Sequence, residues 1–272
     1  MEERLLGAMR EVAEKKGKIV VLTGAGISAE SGIPTFRGPE GFWTVGSREY
    51  RPEEMATYAM FSRNPDEVWQ WYLYRIGICR AAEPNAGHLT VARMEALFGD
   101  RFLLITQNVD GLHLRAGNSL ARTFQIHGSI EFVRCGVDCT KEVFPLSPAV
   151  RVKKKHEPLS DGDREALRCP KCGSRVRPHV LWFDECYNEE YYRFNSSLRI
   201  AAEADLLLTV GTSGATNLPM QVGHVVAQKG GLIVDVNPDV NPFASMAGQN
   251  GGFFCQGPSG TILPKLLDAM TN

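Results

Sequence analysis

The chain has 272 residues, 43% of them hydrophobic and 22% charged, which suits one large globular domain or a large and a small one. A formal net charge of −1 gives no electrostatic reason to expect nucleic acid or an anionic membrane as the main partner. No apolar run approaches the roughly 20 residues needed to span a bilayer, so no membrane partner is expected.

Residues 1–18 predict an amphipathic helix, with Leu5, Leu6, Met9, Val12 and Ala13 at helical spacing. Glu2, Glu3, Glu11 and Glu14 argue against a transit peptide, and no apolar core marks a secretory signal. A cytoplasmic protein is expected; removal of a transit peptide would leave the same chain and keeps a mitochondrial location open. Residues 18–22, 102–106, 206–210 and 232–236 are short β-branched or apolar runs bounded by glycine or polar residues. Each reads as a buried parallel strand. Helical patterns lie between and after them, over 85–97, 189–202, 218–228 and 261–270. The alternation predicts an α/β fold: a doubly wound, mostly parallel, Rossmann-like sheet.

Two segments interrupt that rhythm. Residues 34–80 hold a glycine- and aromatic-rich loop and then a helix from Pro65; residues 135–177 hold two cysteine pairs and few apolar residues. The expected division is a Rossmann-like domain of 1–34, 81–134 and 178–272 with a smaller module of 35–80 and 135–177.

Seven cysteines without a secretory signal favour metal ligation over disulfides. Cys135-x3-Cys139 and Cys169-x2-Cys172 can each clasp one side of a tetrahedral zinc ion. The 29 residues between the pairs exceed a minimal ribbon and fit an insertion at the knot, including the basic run 151–155. That run reads as solvated charge. Cys79, Cys186 and Cys255 read as small buried hydrophobes.

After the first strand, Gly24-Ala25-Gly26-Ile27-Ser28-Ala29 matches G-x-G-x-x-A. Gly24 would permit a tight turn, Gly26 a close approach to a pyrophosphate, and the next helix would favour anionic charge. A plain structural turn explains this short motif equally well. No acidic residue stands at a strand end about 20 residues on to bind a ribose; Glu40 and Glu49 lie in loop-like sequence. A hydride-transferring dehydrogenase is therefore disfavoured.

Taken together, residues 24–43, Gln107-Asn108-Val109-Asp110, His127-Gly128, residues 179–185, Gly211-Thr212-Ser213 and Asn237 resemble the sirtuins, in the order that family shows. The resemblance covers about residues 18–270 and implies an NAD-dependent protein lysine deacylase. In such enzymes NAD is a reactant. The acyl-lysine amide oxygen attacks the nicotinamide ribose, nicotinamide leaves, and a base activates a ribose hydroxyl. Free lysine and O-acyl-ADP-ribose result.

The resemblance implies His127 as that base, for which an imidazole titrating near neutrality is suited. An isolated histidine is more often structural; its place in the motif reverses that. Asn108 is implied to hold the nicotinamide ribose and Asp110 the carboxamide, although both could instead cap a helix starting near Gly111. Gly24, Ala25, Gly26, Ser28, Ala29, Thr35, Phe36, Arg37, Trp43 and Gln107 complete one NAD-binding set, with Phe36 shielding the reacting carbon from water. Gly211, Thr212, Ser213, Asn237, Pro238, Asp239 and Ser259 form a second, though turn chemistry would also explain Gly211 and Asn237. His113 is expected to be structural. Val180, Trp182, Phe183 and Glu185 lie in a strand, 180–185, that pairs with the substrate backbone. The four paired cysteines are implied to hold one structural zinc with no open position.

Tyr72 and Arg75 share one face of the helix from Pro65. With Ala56 upstream, they resemble the signature of sirtuins that remove succinyl, malonyl and glutaryl groups. An apolar acetyl pocket would bury an acid-tipped chain's carboxylate unpaired; a guanidinium and a phenol would bind it. A core tyrosine and a solvated arginine form the plainer reading. A deacetylase or a mono-ADP-ribosyltransferase using the same site is the enzymatic alternative. Non-enzymatic alternatives are an NAD- or acyl-lysine-binding module and a zinc-knot nucleic-acid binder, the latter with only the basic run in its favour. Acyl-lysine proteins are the expected partners, nucleic acid is not, and a monomer is expected.

Overall fold

The computed structural model describes residues 2–34, 43–45 and 48–271, with side chains from residue 3 and not for 43–45. Its strands are β1 (Ile19–Thr23), β2 (Trp43–Val45), β3 (Arg48–Tyr50), β4 (Phe102–Thr106), β5 (Thr123–Gln125), β6 (Gly128–Cys135), β7 (Val143–Pro145), β8 (Val176–Val180), β9 (Leu206–Val210), β10 (Leu232–Asn237) and β11 (Phe253–Gln256). Six of them form one sheet in the order β11-β10-β9-β1-β4-β5, with every pairing parallel. This is the expected Rossmann-like sheet.

The alternation of side chains explains why short apolar runs become its central strands. In β1, Ile19 and Val21 point to one face and Val20 and Leu22 to the other. On the first face lie Leu5 and Met9 of helix Glu2–Glu14, Val91 and Met94 of Ala86–Phe98, and Leu263, Leu266 and Met270 of Ser259–Thr271. On the second lie Ala201 of Phe194–Ala201, Leu218, Val222 and Val226 of Asn217–Lys229, and Phe243 and Met246 of Pro242–Gln249. Both faces are dry, as a parallel sheet requires.

A third core serves the smaller part of the molecule. Val68, Trp69, Trp71, Tyr72, Leu73 and Ile76 of helix Pro65–Ala81 pack against Ile130, Val133 and Val176 of β6 and β8. These strands form an antiparallel sheet in the order β7-β6-β8. The two-domain division stands as a proposal, with this sheet lying across its limits at 134/135 and 177/178.

Several local expectations change. The helix predicted over 189–202 is two, Glu189–Tyr192 and Phe194–Ala201, broken at Arg193, whose φ of +54° is left-handed. The strand predicted over 180–185 ends at Val180, and Phe183 to Glu185 form a turn. Lys153, within the basic run, is not solvated: its side chain is 7% exposed and its Nζ lies 2.7 Å from Asp163 Oδ2. Cys79 is buried and Cys255 partly so, but Cys186 is exposed, in the loop leading to helix Glu189–Tyr192. Among the described residues no helix is long and apolar enough to cross a membrane.

Candidate active site and metal centre

The order of strand connection changes side between β1 and β9, since β4 and β5 are added on one side of β1 and β9, β10 and β11 on the other. Loops at the carboxyl ends of such strands diverge and leave a crevice. Gly24 to Ser28 follow β1, Gln107 to Asp110 follow β4, Gly211 to Ser213 follow β9, and Asn237 ends β10. All four sequence motifs therefore meet at one end of the sheet.

The glycines let the β1 and β9 loops touch. Gly26 N donates to Gly211 O at 2.8 Å, and a Cβ added to Gly26 would lie 2.7 Å from Gly211 Cα. Gly26 thus serves first the approach of two protein loops. The helix after it, Gly26–Ala29, is a single turn. Asn237 Nδ2 reaches across to Thr212 O (2.8 Å). Ser213, Pro238 and Asp239 are exposed beside these loops. Ser259 is buried, and its hydroxyl donates to Glu30 Oε1 at 2.8 Å. Trp43 lies in the β2–β3 hairpin, while Thr35, Phe36 and Arg37 lie outside the described residues.

Below the loops runs a buried polar network. Ser28 Oγ donates to Asp110 Oδ2 (2.7 Å) and accepts from Asn108 Nδ2 (3.2 Å). Asn108 Nδ2 also donates to Gly24 O (3.1 Å), and Asp110 Oδ1 accepts from Leu112 N (2.9 Å). Asp110 thus holds the first amide of the short helix Leu112–Ala116 from the position before its N-cap, Gly111. Burial raises the Asp110 pKa, against the opposing pull of the Leu112 amide and the Ser28 hydroxyl. His88 Nε2 lies 3.3 Å from Ser28 Oγ, and His113 Nε2 lies 3.0 Å from Thr23 Oγ1. His113 is thus structural, as expected. Sequence reasoning missed His88, whose spacing carries no signal.

His127 occupies the turn between β5 and β6, half-buried. Gly128 holds the turn: its φ is +80°, and a Cβ there would lie 2.0 Å from His179 O. The Gln107 backbone hydrogen-bonds the His127 ring. His127 Nε2 meets Tyr187 Oη at 2.6 Å; a ring that donates Nδ1–H to the Gln107 carbonyl would carry its lone pair on Nε2. Loss of hydration lowers the His127 pKa to about 4, which keeps the ring neutral and proton-accepting at pH 7.

Tyr72 and Arg75 are close enough for each charge to influence the other, and the Arg75 charge is also felt at Asp110. Desolvation lowers the Arg75 pKa and raises that of Tyr72, which stays a phenol. Trp182 Nε1 donates to Tyr72 Oη at 2.8 Å. An indole only donates, so the Tyr72 O–H remains a donor toward another group. Ala56 is buried beside the helix, and its carbonyl accepts from Phe183 N (3.0 Å).

The turn after Val180 is not an open strand edge. Leu181 N donates to His127 O, Trp182 N to Glu185 Oε2, and Glu185 N to Trp182 O. Trp182 is 1% exposed, with the Arg177 guanidinium 3.4 Å above its ring. Glu185 binds both Arg134 and Arg177, and their charges outweigh its burial and lower its pKa. Phe183, at 56%, is the exposed apolar side chain of this set.

The paired cysteines converge. Sγ of Cys135 lies 3.6 Å from that of Cys172, Sγ of Cys139 lies 3.7 Å from that of Cys169, and all four fall within 4.8 Å of one another. Tetrahedral zinc with Zn–S bonds of about 2.3 Å sets sulfurs about 3.8 Å apart. The cluster fits one structural zinc.

Three buried histidines give the molecule a pH signature. Desolvation first of all holds His88 near about 4, His113 near about 3 and His179 near about 4. An unfolded histidine takes its proton near about 6.5. Between these values the unfolded chain binds more protons, so stability is lost as pH falls from about 7 toward 4, by up to ~2 kcal/mol per histidine at pH 5. Asp110 and Asp235, raised by burial, oppose this at the acid end. Imidazole proton resonances of the three histidines are expected to stay flat from pH 7 to 5; a midpoint near 6.5 for any of them overturns the assignment.

Comparison with known proteins meets this geometry. Residues 24–217 match the model of the Sir2 family. A Leptospira interrogans protein named NAD-dependent protein deacylase is 39% identical over 254 residues, 93% of each chain. A Pyrococcus furiosus protein of the same name is 37% identical over 271 residues, 97% of each. Among solved structures, a Sir2 homologue–NAD complex superposes with a TM-score of 0.81 at 36% identity, covering 100% of this chain and 94% of that one. A Sir2–p53 peptide–NAD+ complex, 23% identical with a TM-score of 0.76, shares the fold over 98% of each chain. On the family match and the near full-length similarity to these relatives, the chain belongs to the Sir2 family, the sirtuins.

Proposed function

We propose that this sirtuin removes acid-tipped acyl groups (succinyl, malonyl or glutaryl) from protein lysines, with NAD as co-substrate. Its relatives are named NAD-dependent protein deacylases, and the chain is an enzyme of that type. Bound NAD would supply an electrophilic ribose carbon with nicotinamide as the leaving group. Ser28, Asn108 and Asp110 would hold the nicotinamide end, with the loops at Gly24–Gly26 and Gly211–Ser213 around the phosphates and Asn237 on the far ribose. His127 would accept a ribose hydroxyl proton at Nε2, its tautomer fixed by the Gln107 carbonyl. Phe36 would shield the reacting ribose carbon from water, with Thr35 and Arg37 as further NAD contacts. Acyl-lysine proteins are the partners this chemistry needs. Exposed Phe183 offers an apolar contact for the peptide, whereas Val180, Trp182 and Glu185 would act by shaping the turn behind it.

One observation carries the acyl preference. Tyr72 and Arg75 lie on one face of helix Pro65–Ala81, close enough for the Arg75 charge to be felt at Tyr72 and at Asp110 in the site. A desolvated guanidinium beside an available phenol donor favours an incoming carboxylate. Ala56 leaves room for the longer chain.

The test is one peptide bearing acetyl-, malonyl-, succinyl- or glutaryl-lysine, incubated with NAD and analysed by mass spectrometry. Acidic acyl groups are expected to be removed faster than acetyl. Arg75→Met should reverse the order, lowering desuccinylation about ten- to a hundredfold, as charge-assisted hydrogen bonds are worth about 1.5–3 kcal/mol. Equal or faster deacetylation by the unaltered protein would sink the acidic preference and leave deacylation intact.

A further inference from the structure

The turn after Val180 reaches helix Pro65–Ala81 through one buried bond. Trp182 Nε1 donates to Tyr72 Oη at 2.8 Å, and the two residues are 1% and 3% exposed. A phenol O–H lies in the plane of its ring and has two favoured directions, one on either side of the C–O bond. An indole only donates, so its N–H occupies one of those sides and the Tyr72 proton is turned to the other. The direction in which Tyr72 donates is thus set by Trp182.

The indole is itself clamped. Trp182 N donates to Glu185 Oε2 at 2.9 Å, and the Arg177 guanidinium lies 3.4 Å from the centre of the indole. Arg177 is fixed in turn: it donates to both carboxylate oxygens of Glu185 and, from Nη2, to Val180 O at 3.0 Å. Phe61 packs beside the indole at 5.4 Å between ring centres. A cation over an aromatic face draws electron density from the ring, which makes the indole N–H a stronger donor. None of these groups lies on helix Pro65–Ala81, so Tyr72 is oriented from outside the helix that carries it. Arg75 is steadied from within that helix, with its guanidinium 5.4 Å from the centre of the Trp71 ring.

We propose that Trp182 is a positioning residue for acyl selection: its indole N–H fixes the Tyr72 hydroxyl as a donor to the terminal carboxylate of a succinyl, malonyl or glutaryl chain. This rests on Tyr72 as a reader of acid-tipped groups. A carboxylate only accepts, so the phenol must present its proton. Without the indole that proton is shared between two directions, and binding must first select one of them. An acetyl group ends in a methyl, which takes no hydrogen bond and gains nothing from the orientation. Once a carboxylate accepts the O–H, the phenol oxygen becomes a better acceptor, and the bond from Trp182 tightens with it.

Tyr72→Phe keeps the ring and removes the acceptor. In the free protein it is expected to move the Trp182 indole N–H resonance upfield, while that of Trp69, which donates to Val176 O at 2.8 Å, stays nearly in place. Without NAD, succinyl-lysine peptide should move the Trp182 resonance of the unaltered protein downfield, and acetyl-lysine peptide should not. Trp182→Phe identifies that resonance by its loss. It should lower the ratio of kcat/KM for succinyl over acetyl peptide about two- to tenfold, the usual worth of one hydrogen bond, with the change in KM for the succinyl peptide. In a Tyr72→Phe background it should lower the ratio no further, a cycle that cancels what the smaller ring does to packing alone. A Trp182 resonance unmoved by Tyr72→Phe or moved alike by both peptides, an unchanged ratio, or additive effects in the double variant would overturn the role. If the unaltered protein shows no preference for acid-tipped groups, the acyl reading fails and the role falls with it; if the preference is present and survives Trp182→Phe, the role alone fails.

Discussion

His127→Ala should cut deacylation about a hundred- to ten-thousandfold, the usual worth of a placed general base, and leave nicotinamide exchange measurable. The imidazole is held at both nitrogens, by the Gln107 backbone and by Tyr187 Oη at 2.6 Å. Alanine removes the lone pair and both bonds. The network that would hold the cofactor does not include this ring: Ser28, Asn108 and Asp110 bond to one another and to Gly24 and Leu112. Orientation of the nicotinamide end should survive, and with it the exchange of nicotinamide. His127 is half-buried in a turn rather than part of an apolar core, so the melting temperature should change little. Product analysis by mass spectrometry beside labelled-nicotinamide exchange separates the two half-reactions. Normal deacylation by the variant would remove His127 from the chemistry, whereas loss of both activities with a lowered melting point would make it structural.

What the sequence disclosed follows from how far each feature's causes reach along the chain. β4 and β9 are found at their predicted ends because both of their faces are apolar, which is a local property. β5 and β11 were missed: with three and four residues at the sheet's two edges, their composition carries no period. β6 was hidden because Glu131 and Arg134 interrupt its apolar pattern, and Arg134 is buried only because Glu185 meets it. The same Glu185 turned a predicted strand into a clamp. Its neighbour Asp184 accepts from Tyr58 N and Ala59 N at 2.8 and 3.0 Å, a partnership across more than a hundred residues that no window of sequence contains. The motif residues of the site were legible because loop chemistry at strand ends is written locally. Tyr187 and His88 were not, since only the folded chain brings each beside a motif residue.

Zinc removal should cost more stability than any single substitution in the apolar cores. The expected loss is on the order of 5 kcal/mol or more, because structural zinc binding is worth about 10–16 kcal/mol in small peptides and part of it is folding free energy. The four sulfurs tie the end of β6, at Cys135, to the knuckle at Cys169–Cys172, where Cys169 N donates to Ser174 O (2.7 Å) and Gly173 N to Cys169 O (2.9 Å). Cys135 and Cys169 also belong to the core that holds helix Pro65–Ala81, and thus Tyr72. Releasing the metal should loosen that core while the parallel sheet, with its own two cores, stays folded. Cys172→Ala gives the cleanest test. Cys172 is exposed, so its truncation removes almost no buried area, and a large loss can act only through the ion. The protein should carry one zinc per chain by atomic emission. Chelation and Cys172→Ala should each remove the metal, produce an early thermal transition and abolish acyl selectivity before the parallel sheet melts. Unchanged melting after complete zinc loss would show that the antiparallel sheet and helix Pro65–Ala81 hold the module without the ion. The helix that would read the acyl group owes its place partly to a metal knot at the far end of β6 from His127, so specificity should be more sensitive to zinc loss than the base itself.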